Sequence, residues 1–226
     1  MTESYEPLPL SDWIDRPDDE IAARARDMRE EMARRHTIRE FSTRPVAREV
    51  IEDCIRTAGL APSGANHQPW HFVAIADPEV KAKIRAAAEE EEARFYAGAA
   101  GDEWLSALEP IGTGVSKPHL EDAPWLIVIF AQRYGLREDG SRFKHYYVPE
   151  SSGIASGFLI TALHRAGLAT LTHTPNPMKF LSEICGRPDH EKALMIVAVG
   201  HPASDATVPA KALKKKPLEE ISTFLG

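Results

Sequence analysis

Residues 123–132 read APWLIVIFAQ, a proline followed by an almost wholly apolar run. A run of that length with no charge is a strand covered on both faces, and it belongs in the middle of a sheet. Upstream, HFVAIAD (71–77) is a shorter β-branched and aromatic run and predicts a second strand. Asp77-Pro78 then supplies a helix cap and a first helical residue for the segment carrying Glu89–Glu92 and Tyr96. Downstream, LATLTHTP (168–175) and ALMIVAVGHP (193–202) predict two more strands. Helices fall between and before them. One is predicted from about Asp19 to Arg35, with Ile21, Ala25, Met28 and Met32 spaced to give one buried face. A second opens at Pro45, runs through Val50, Ile51, Cys54 and Ile55, and stops at Gly59. A third, from Pro149 to Ala166, is rich in small residues (Ser151, Ser152, Gly153, Ala155, Ser156, Gly157), which suits close packing in the core or at a subunit contact.

The connections are equally legible. LAPSGANHQPW (60–70) is dense in Pro, Gly and Asn and is a loop, and Asp139-Gly140 marks a turn. Gly98–His119 is glycine-rich and poorly periodic, the pattern of a mobile loop or lid. With elements interleaved and no linker in mid-chain, the reading is one α/β domain over residues 20–226. An extended arm, 1–19, precedes it, and a C-terminal extension begins at about 203.

Composition narrows the function. A chain of 226 residues with 43% hydrophobic and 27% charged content is an ordinary globular protein able to bury a core. No apolar run reaches the roughly 18 residues that a membrane span needs. The N-terminus lacks the basic-then-apolar order of a signal peptide, so a cytoplasmic location is the expectation. A net charge of −7 argues against nucleic acid or an anionic membrane as partner. Positive charge is nonetheless clustered in Arg34, Arg35 and Arg39 and in Lys211, Lys214, Lys215 and Lys216, which reads either as a phosphate-like anion site or as solubilising charge. Cys54 and Cys185 have no metal spacing and read as small buried hydrophobes.

Familiar catalytic patterns are missing. The sequence has no G-x-S-x-G, P-loop, H-E-x-x-H or G-x-G-x-x-G after a strand, and its nine histidines are scattered, so no metal site is expected. A chain with neither nucleophile nor metal borrows its chemistry from a cofactor. Glu92 and Tyr96, four apart on a helix, share a face, and Lys117 follows in the next segment. Carboxylate, phenol and ammonium together match a small zwitterion. By itself, however, the run Glu89–Glu92 reads first as a solvated helix face.

The segment RRHTIREF (34–41) resembles the opening signature of the nitroreductase-like FMN proteins. The resemblance continues through Pro62-Ser63-Gly64, the strands and the GHP turn, and covers about Met28 to Pro217. APSGA before a P-W-x-F-V strand, the glutamate run with its tyrosine, HYY, TxTP and the closing KxKPL are similar to the iodotyrosine deiodinase branch. That likeness implies an α+β fold, with a central, mostly antiparallel sheet flanked by helices and a domain-swapped type of homodimer. FMN would sit at the interface, in two sites each built from both chains.

The resemblance also implies residue roles. Arg35, His36, Thr37 and Arg39, then Pro62, Ser63 and Gly64, then Thr172, His173 and Thr174 match the cofactor-binding segments, with Lys214 or Lys215 for the phosphate. Guanidiniums suit that task because they offer fixed donors and a permanent charge. His36 and Lys215 stand where the family often has arginines, leaving less fixed charge and no bidentate fork. Thr172 is the catalytic position, its hydroxyl near the flavin N5. Glu92, Tyr96 and Lys117 match the clamp on the amino-acid end of a halotyrosine, and Ala65 the backbone donor to its phenolate. The implied reaction replaces a carbon–halogen bond of a 3-halotyrosine (iodo, with bromo and chloro expected) by C–H. Its electrons come from NAD(P)H, directly or through a flavin reductase. The rival readings are a broad flavin nitroreductase or quinone reductase and a non-enzymatic flavin or aromatic amino-acid binder.

Overall fold

The computed structural model describes residues 4–99 and 101–226; the first three residues of the arm and Ala100 of the glycine-rich segment lie outside the described residues. In chain order the elements are α1 (Asp18–Ala33), α2 (Arg48–Gly59), β1 (Trp70–Ile75), α3 (Pro78–Arg94), α4 (Asp102–Leu108), α5 (His119–Asp122) and β2 (Trp125–Gln132). There follow β3 (Tyr134–Leu136), β4 (Arg142–Lys144), α6 (Val148–Arg165), β5 (Ala169–His173), α7 (Lys179–Ile184), β6 (Glu191–Gly200) and the short α8 (Ala210–Leu213) and α9 (Leu218–Ile221).

The chain divides into two units, Met1–Arg34 and Arg35–Gly226. In the first, the described arm has no regular structure up to Pro17, and α1 begins and ends within two residues of expectation. Its apolar face is not buried, which corrects the sequence reading. No residue of α1 is buried, and Ile21 is 52% exposed. The periodicity made the helix, but burial needs a second element to cover the stripe, and this unit contains none.

The second unit is built on an antiparallel sheet in the order β1-β2-β6-β5, with β2 in the interior as its apolar run requires. Alternate residues serve opposite cores. Leu126, Val128 and Phe130 pack with Ile196 and Leu171 against Ile84 and Ala88 of α3, Leu120 of α5 and Leu181 of α7. Ile127, Ile129, Val197 and Val199 pack against Ile51, Cys54 and Ala58 of α2 and Leu159 and Leu163 of α6. Both faces of the sheet are therefore covered, which explains a strand that is apolar from Trp125 to Ala131. A bulge between Ile129 and Phe130 shifts the register with β6.

β5 is an edge strand. Its outer side is met only at its start, where Thr37 bridges Thr170 in parallel and the Ile38 N–H donates to the Thr170 carbonyl at 3.2 Å. Among the described residues no strand covers that edge beyond Thr170. The Asp77 carboxylate accepts from the N–H groups of Glu79 and Val80, as the cap reading expects.

Two segments differ from the sequence reading. Gly98–His119 holds the helix α4 and a 3₁₀ turn, Glu109–Ile111, where a loop was expected. Positive φ at Gly98, Gly101 and Gly112 breaks that segment into pieces too short to show periodicity. Tyr96 lies just past α3, in a π turn from Phe95 to Ala99.

Candidate active site

A cavity of about 270 Å³ opens beside the uncovered edge of β5. Glu92 and Tyr96 line it from the end of α3, Lys117 and His119 from the start of α5, and Thr172, His173 and Thr174 from β5 and beyond. Arg39 reaches it from the segment bridged to Thr170, and Trp104, Leu108 and Ile111 form an apolar wall. The space is slightly under the ~300 Å³ at which small-molecule sites usually begin, enough for one substituted aromatic amino acid.

Charge is arranged across it. Lys117 Nζ lies 3.1 Å from Glu92 Oε2 and donates to Thr113 Oγ1 at 3.1 Å, with its side chain only 4% exposed. The same ammonium stands 5.9 Å from the centre of the Tyr96 ring. The Tyr96 hydroxyl is buried and has no hydrogen-bond partner among the described residues. A buried phenol without a partner is destabilising unless something else satisfies it. The site thus offers one carboxylate, one ammonium and one free hydroxyl to a ligand carrying the complementary groups.

Lys117 is held from behind by a residue that the sequence reading left in the solvated glutamate run. Glu89, three residues before Glu92 and on its face of the helix, accepts the Lys117 peptide N–H at 2.6 Å. Arg85 Nε donates to the same Glu89 oxygen at 2.8 Å, and Arg85 also reaches Glu121. Burial would raise the Glu89 pKa, but the Lys117 N–H and Arg85 outweigh it and hold the carboxyl below its usual value. Lys81, one turn before Arg85, is buried and donates to the carbonyls of Glu121 and Ala123 at 2.9 and 2.8 Å. Helix α3 therefore carries the Glu92 side of the site and also anchors the segment presenting Lys117. No local pattern announces Glu89; the only signal is its i, i+3 relation to Glu92.

His119 and His173 pack edge to face, ring centroids 5.5 Å apart, and the Nε2 of each is buried without a hydrogen-bond partner among the described residues. Burial, with Lys117 and Arg39 nearby, pushes His119 down to about 4. His173 is pushed down to about 3 by burial, with His119, Lys117 and Arg39 adding to it. Both rings are neutral at physiological pH.

The remaining candidates lie off this cavity. Arg35, His36 and Thr37 are half-buried beside the start of β5, and Lys214 and Lys215 are exposed after α8. Pro62–Ala65 form a separate tight turn. Ala65, Asn66 and Gln68 have φ of 51, 52 and 48°, and Ser63 Oγ accepts the Gln68 N–H at 2.9 Å. Gly64 is pressed against another segment, so that a Cβ there would stand 2.7 Å from the Tyr146 carbonyl oxygen. Left-handed backbone in non-glycine residues stores strain and marks a shape held for a purpose. Both cysteines are free thiols; burial raises the pKa of Cys54, and that of Cys185 to about 11, so neither is a thiolate at neutral pH. Among the described residues no group of three or more His, Cys, Asp or Glu could hold a metal, and no helix is long and apolar enough to cross a membrane.

The chain as a whole is similar to proteins of one family. The model of the nitroreductase family aligns with residues 32–201. An iodotyrosine deiodinase of the bacterium Haliscomenobacter hydrossis is 50% identical over 198 residues, which is 88% of this chain and 89% of the relative. Human iodotyrosine deiodinase 1 is 45% identical over 206 residues, 91% of this chain and 71% of the human protein. A crystal structure of oxidised iodotyrosine deiodinase bound to FMN and 3-iodo-L-tyrosine superposes with a TM-score of 0.72 at 27% identity, covering 87% of this chain and all of that one.

Proposed function

Because the chain belongs to the nitroreductase family, and within it to the iodotyrosine deiodinases, we propose that it is an FMN-dependent reductive dehalogenase of 3-halotyrosines. The observation that carries this reading is the opposed pair Glu92–Lys117 with Tyr96 on one cavity. A ligand ammonium pairs with Glu92, its carboxylate with Lys117, and Tyr96 Oη hydrogen-bonds the same end.

The residues present fit FMN. The outer edge of β5 beyond Thr170 has backbone donors and acceptors that no strand uses, and the Arg39 guanidinium faces the same cavity. Bound FMN supplies two electrons, one at a time, to the carbon–halogen bond, so that with one proton C–X becomes C–H and halide leaves. The chain's own residues bind and orient. The clamp would fix the amino-acid end of the substrate, and Thr172, which lines the same cavity, would offer its hydroxyl to the bound cofactor. Trp104, Leu108 and Ile111 exclude water, which strengthens each polar contact within.

The residues away from the cavity suit a site completed by a second copy. Helix α6 exposes Ile154 and Phe158 beside Gly153 and Gly157, where nothing would touch an added Cβ, a face shaped for close approach of another chain. In such a homodimer the Pro62–Ala65 turn of one chain would help hold the FMN and the phenolate of the other, and Lys214 or Lys215 would supply charge to the phosphate. NAD(P)H is the electron source, directly or through a flavin reductase in the cytoplasm, and bromo- and chlorotyrosine are substrates beside iodotyrosine. Anaerobic titration of the reduced protein with 3-iodotyrosine tests the proposal. Stoichiometric flavin reoxidation with iodide release is expected. Reduction of nitroaromatics without any iodide release overturns it in favour of a broad nitroreductase.

A further inference from the structure

Glu92 presents its two oxygens to different residues. Oε2 faces Lys117 Nζ at 3.1 Å, and Oε1 faces His173 Nε2 at 3.9 Å. The first is an ion pair, and the second is a gap just too long for a hydrogen bond. His173 Nε2 is buried, has no hydrogen-bond partner among the described residues, and belongs to a side chain only 9% exposed. A buried imidazole nitrogen with nothing to bond is destabilising, so its retention beside a carboxylate calls for a state in which it is satisfied.

Ligand binding creates that state. For a zwitterion to enter, Lys117 must leave Glu92 and turn to the ligand's carboxylate, and Glu92 then loses the partner that aims it. The geometry points to His173 as the residue that takes over. As Lys117 withdraws, His173 Nε2–H donates to Glu92 Oε1 and holds the carboxylate toward the incoming ammonium. His173 is thus a positioning residue acting through Glu92, and this role rests on the halotyrosine reading given above.

Three features support the exchange. The closing movement, from 3.9 Å to a hydrogen bond of about 2.9 Å, is about an ångström and within side-chain adjustment. The two oxygens are separate, so His173 need not displace the ligand ammonium from Oε2. The donor is also uncharged, because burial and the cations Lys117 and Arg39 keep the ring neutral. A charged imidazolium would compete with the ligand for Glu92, whereas a neutral donor leaves the whole carboxylate charge for the ammonium. His119, packed edge-on against His173, fixes the ring plane from the α5 side.

The test uses oxidised FMN-loaded protein titrated with 3-iodotyrosine, with quenching of flavin fluorescence giving Kd. His173→Leu should weaken binding about tenfold, the scale of one hydrogen bond to an ionised group, while His173→Gln, which keeps an N–H donor, recovers most of it. FMN content is measured on each variant and Kd is taken on FMN-loaded protein alone, so that any loss of cofactor from this segment is separated from loss of substrate affinity. Combined with Glu92→Gln, the leucine variant should add no further loss, since both changes remove one coupled interaction. Wild-type binding in His173→Leu, or losses that multiply in the double variant, overturns the inference. Where His173→Leu does not fold, nitrogen NMR of histidine-labelled wild type decides. Iodotyrosine should shift the His173 Nε2–H signal toward a stronger hydrogen bond, and an unmoved signal overturns the role. A wild type that binds no iodotyrosine is a separate result, visible in the first titration, and removes the deiodinase reading together with this one.

Discussion

Glu92 and Lys117 close on each other: the carboxylate on α3 and the ammonium before α5 meet at 3.1 Å with side-chain exposures of 14% and 4%. The pair therefore both links two segments and stands where a ligand's opposite charges must enter. Removing one partner leaves a largely buried charge alone, and removing both does not. Glu92→Gln and Lys117→Met should each lower stability by roughly 3 kcal/mol, and the double variant should regain most of that loss in urea melts. Halotyrosine affinity should fall about 100-fold in either single variant and stay lost in the double, with FMN content unchanged, because binding needs both charges. Stability and affinity moving together in the double variant would mean that the pair is structural only.

Glu89 separates positioning from contact. It touches the peptide N–H of Lys117 while its neighbour Glu92 faces the ammonium. Glu89→Ala should raise KM for 3-iodotyrosine about tenfold with little change in kcat, the loss expected for one hydrogen bond to a charged group. Glu89→Gln, which keeps an acceptor, should lie between the two. A fall in kcat with KM unmoved would place Glu89 in the chemistry instead.

How much of this was legible depends on whether each signal is local. The central strand, the Asp77 cap and the α6 helix were readable because each is specified by residues a few positions apart. The three-residue strands β3 and β4 were not, since a period of two needs a longer run to appear. Helix α4 hid between Gly98, Gly101 and Gly112, whose composition resembles a loop. The clamp trio was named from a family resemblance, but its partners were not. What each glutamate of the run Glu89–Glu92 does is decided by what lies opposite: Arg94 pairs with the exposed Glu90 and the largely covered Glu91, while Glu92 faces the Lys117 ammonium and Glu89 accepts the Lys117 peptide N–H. His119 and His173 lie far apart in sequence and meet only through the fold, so no spacing could have joined them.

Lys81 carries the tie between α3 and α5. Its buried ammonium donates to the carbonyls of Glu121 and Ala123, whereas Arg85 of the same helix reaches the Glu121 side chain. Lys81→Met keeps the aliphatic packing and orphans both acceptors, which should lower stability by about 3 kcal/mol in urea denaturation. Because α5 follows directly on Lys117, halotyrosine affinity should fall as well, by several-fold and with FMN content unchanged. Unaltered affinity in a destabilised but folded Lys81→Met protein would mean that the α3–α5 tie does not set the position of Lys117.

The neutral histidine pair gives stability a pH dependence with a definite sign. His119 and His173 titrate at about 4 and about 3 in the folded chain, each lowered first by burial. Unfolded, each titrates near 6.5, so between about 6.5 and 4 the unfolded chain binds more protons and stability falls as pH falls. Each histidine contributes at most ~1.4 kcal/mol per pH unit, or about 2 kcal/mol lost by pH 5 relative to pH 7.5. His71, His145 and His201, also lowered by burial, add to the same slope. Glu89 and Glu191, whose pKa values are lowered, lose their contribution as pH falls through the unfolded carboxyl range near 4.5, which lies below the interval from pH 7.5 to pH 5. His119→Phe keeps a ring against His173 and removes one titrating group. Urea midpoints at pH 7.5 and pH 5 should therefore show a loss smaller by about 2 kcal/mol in His119→Phe than in the wild type. An equal loss in both would mean that His119 is already solvated and free to charge in the folded protein.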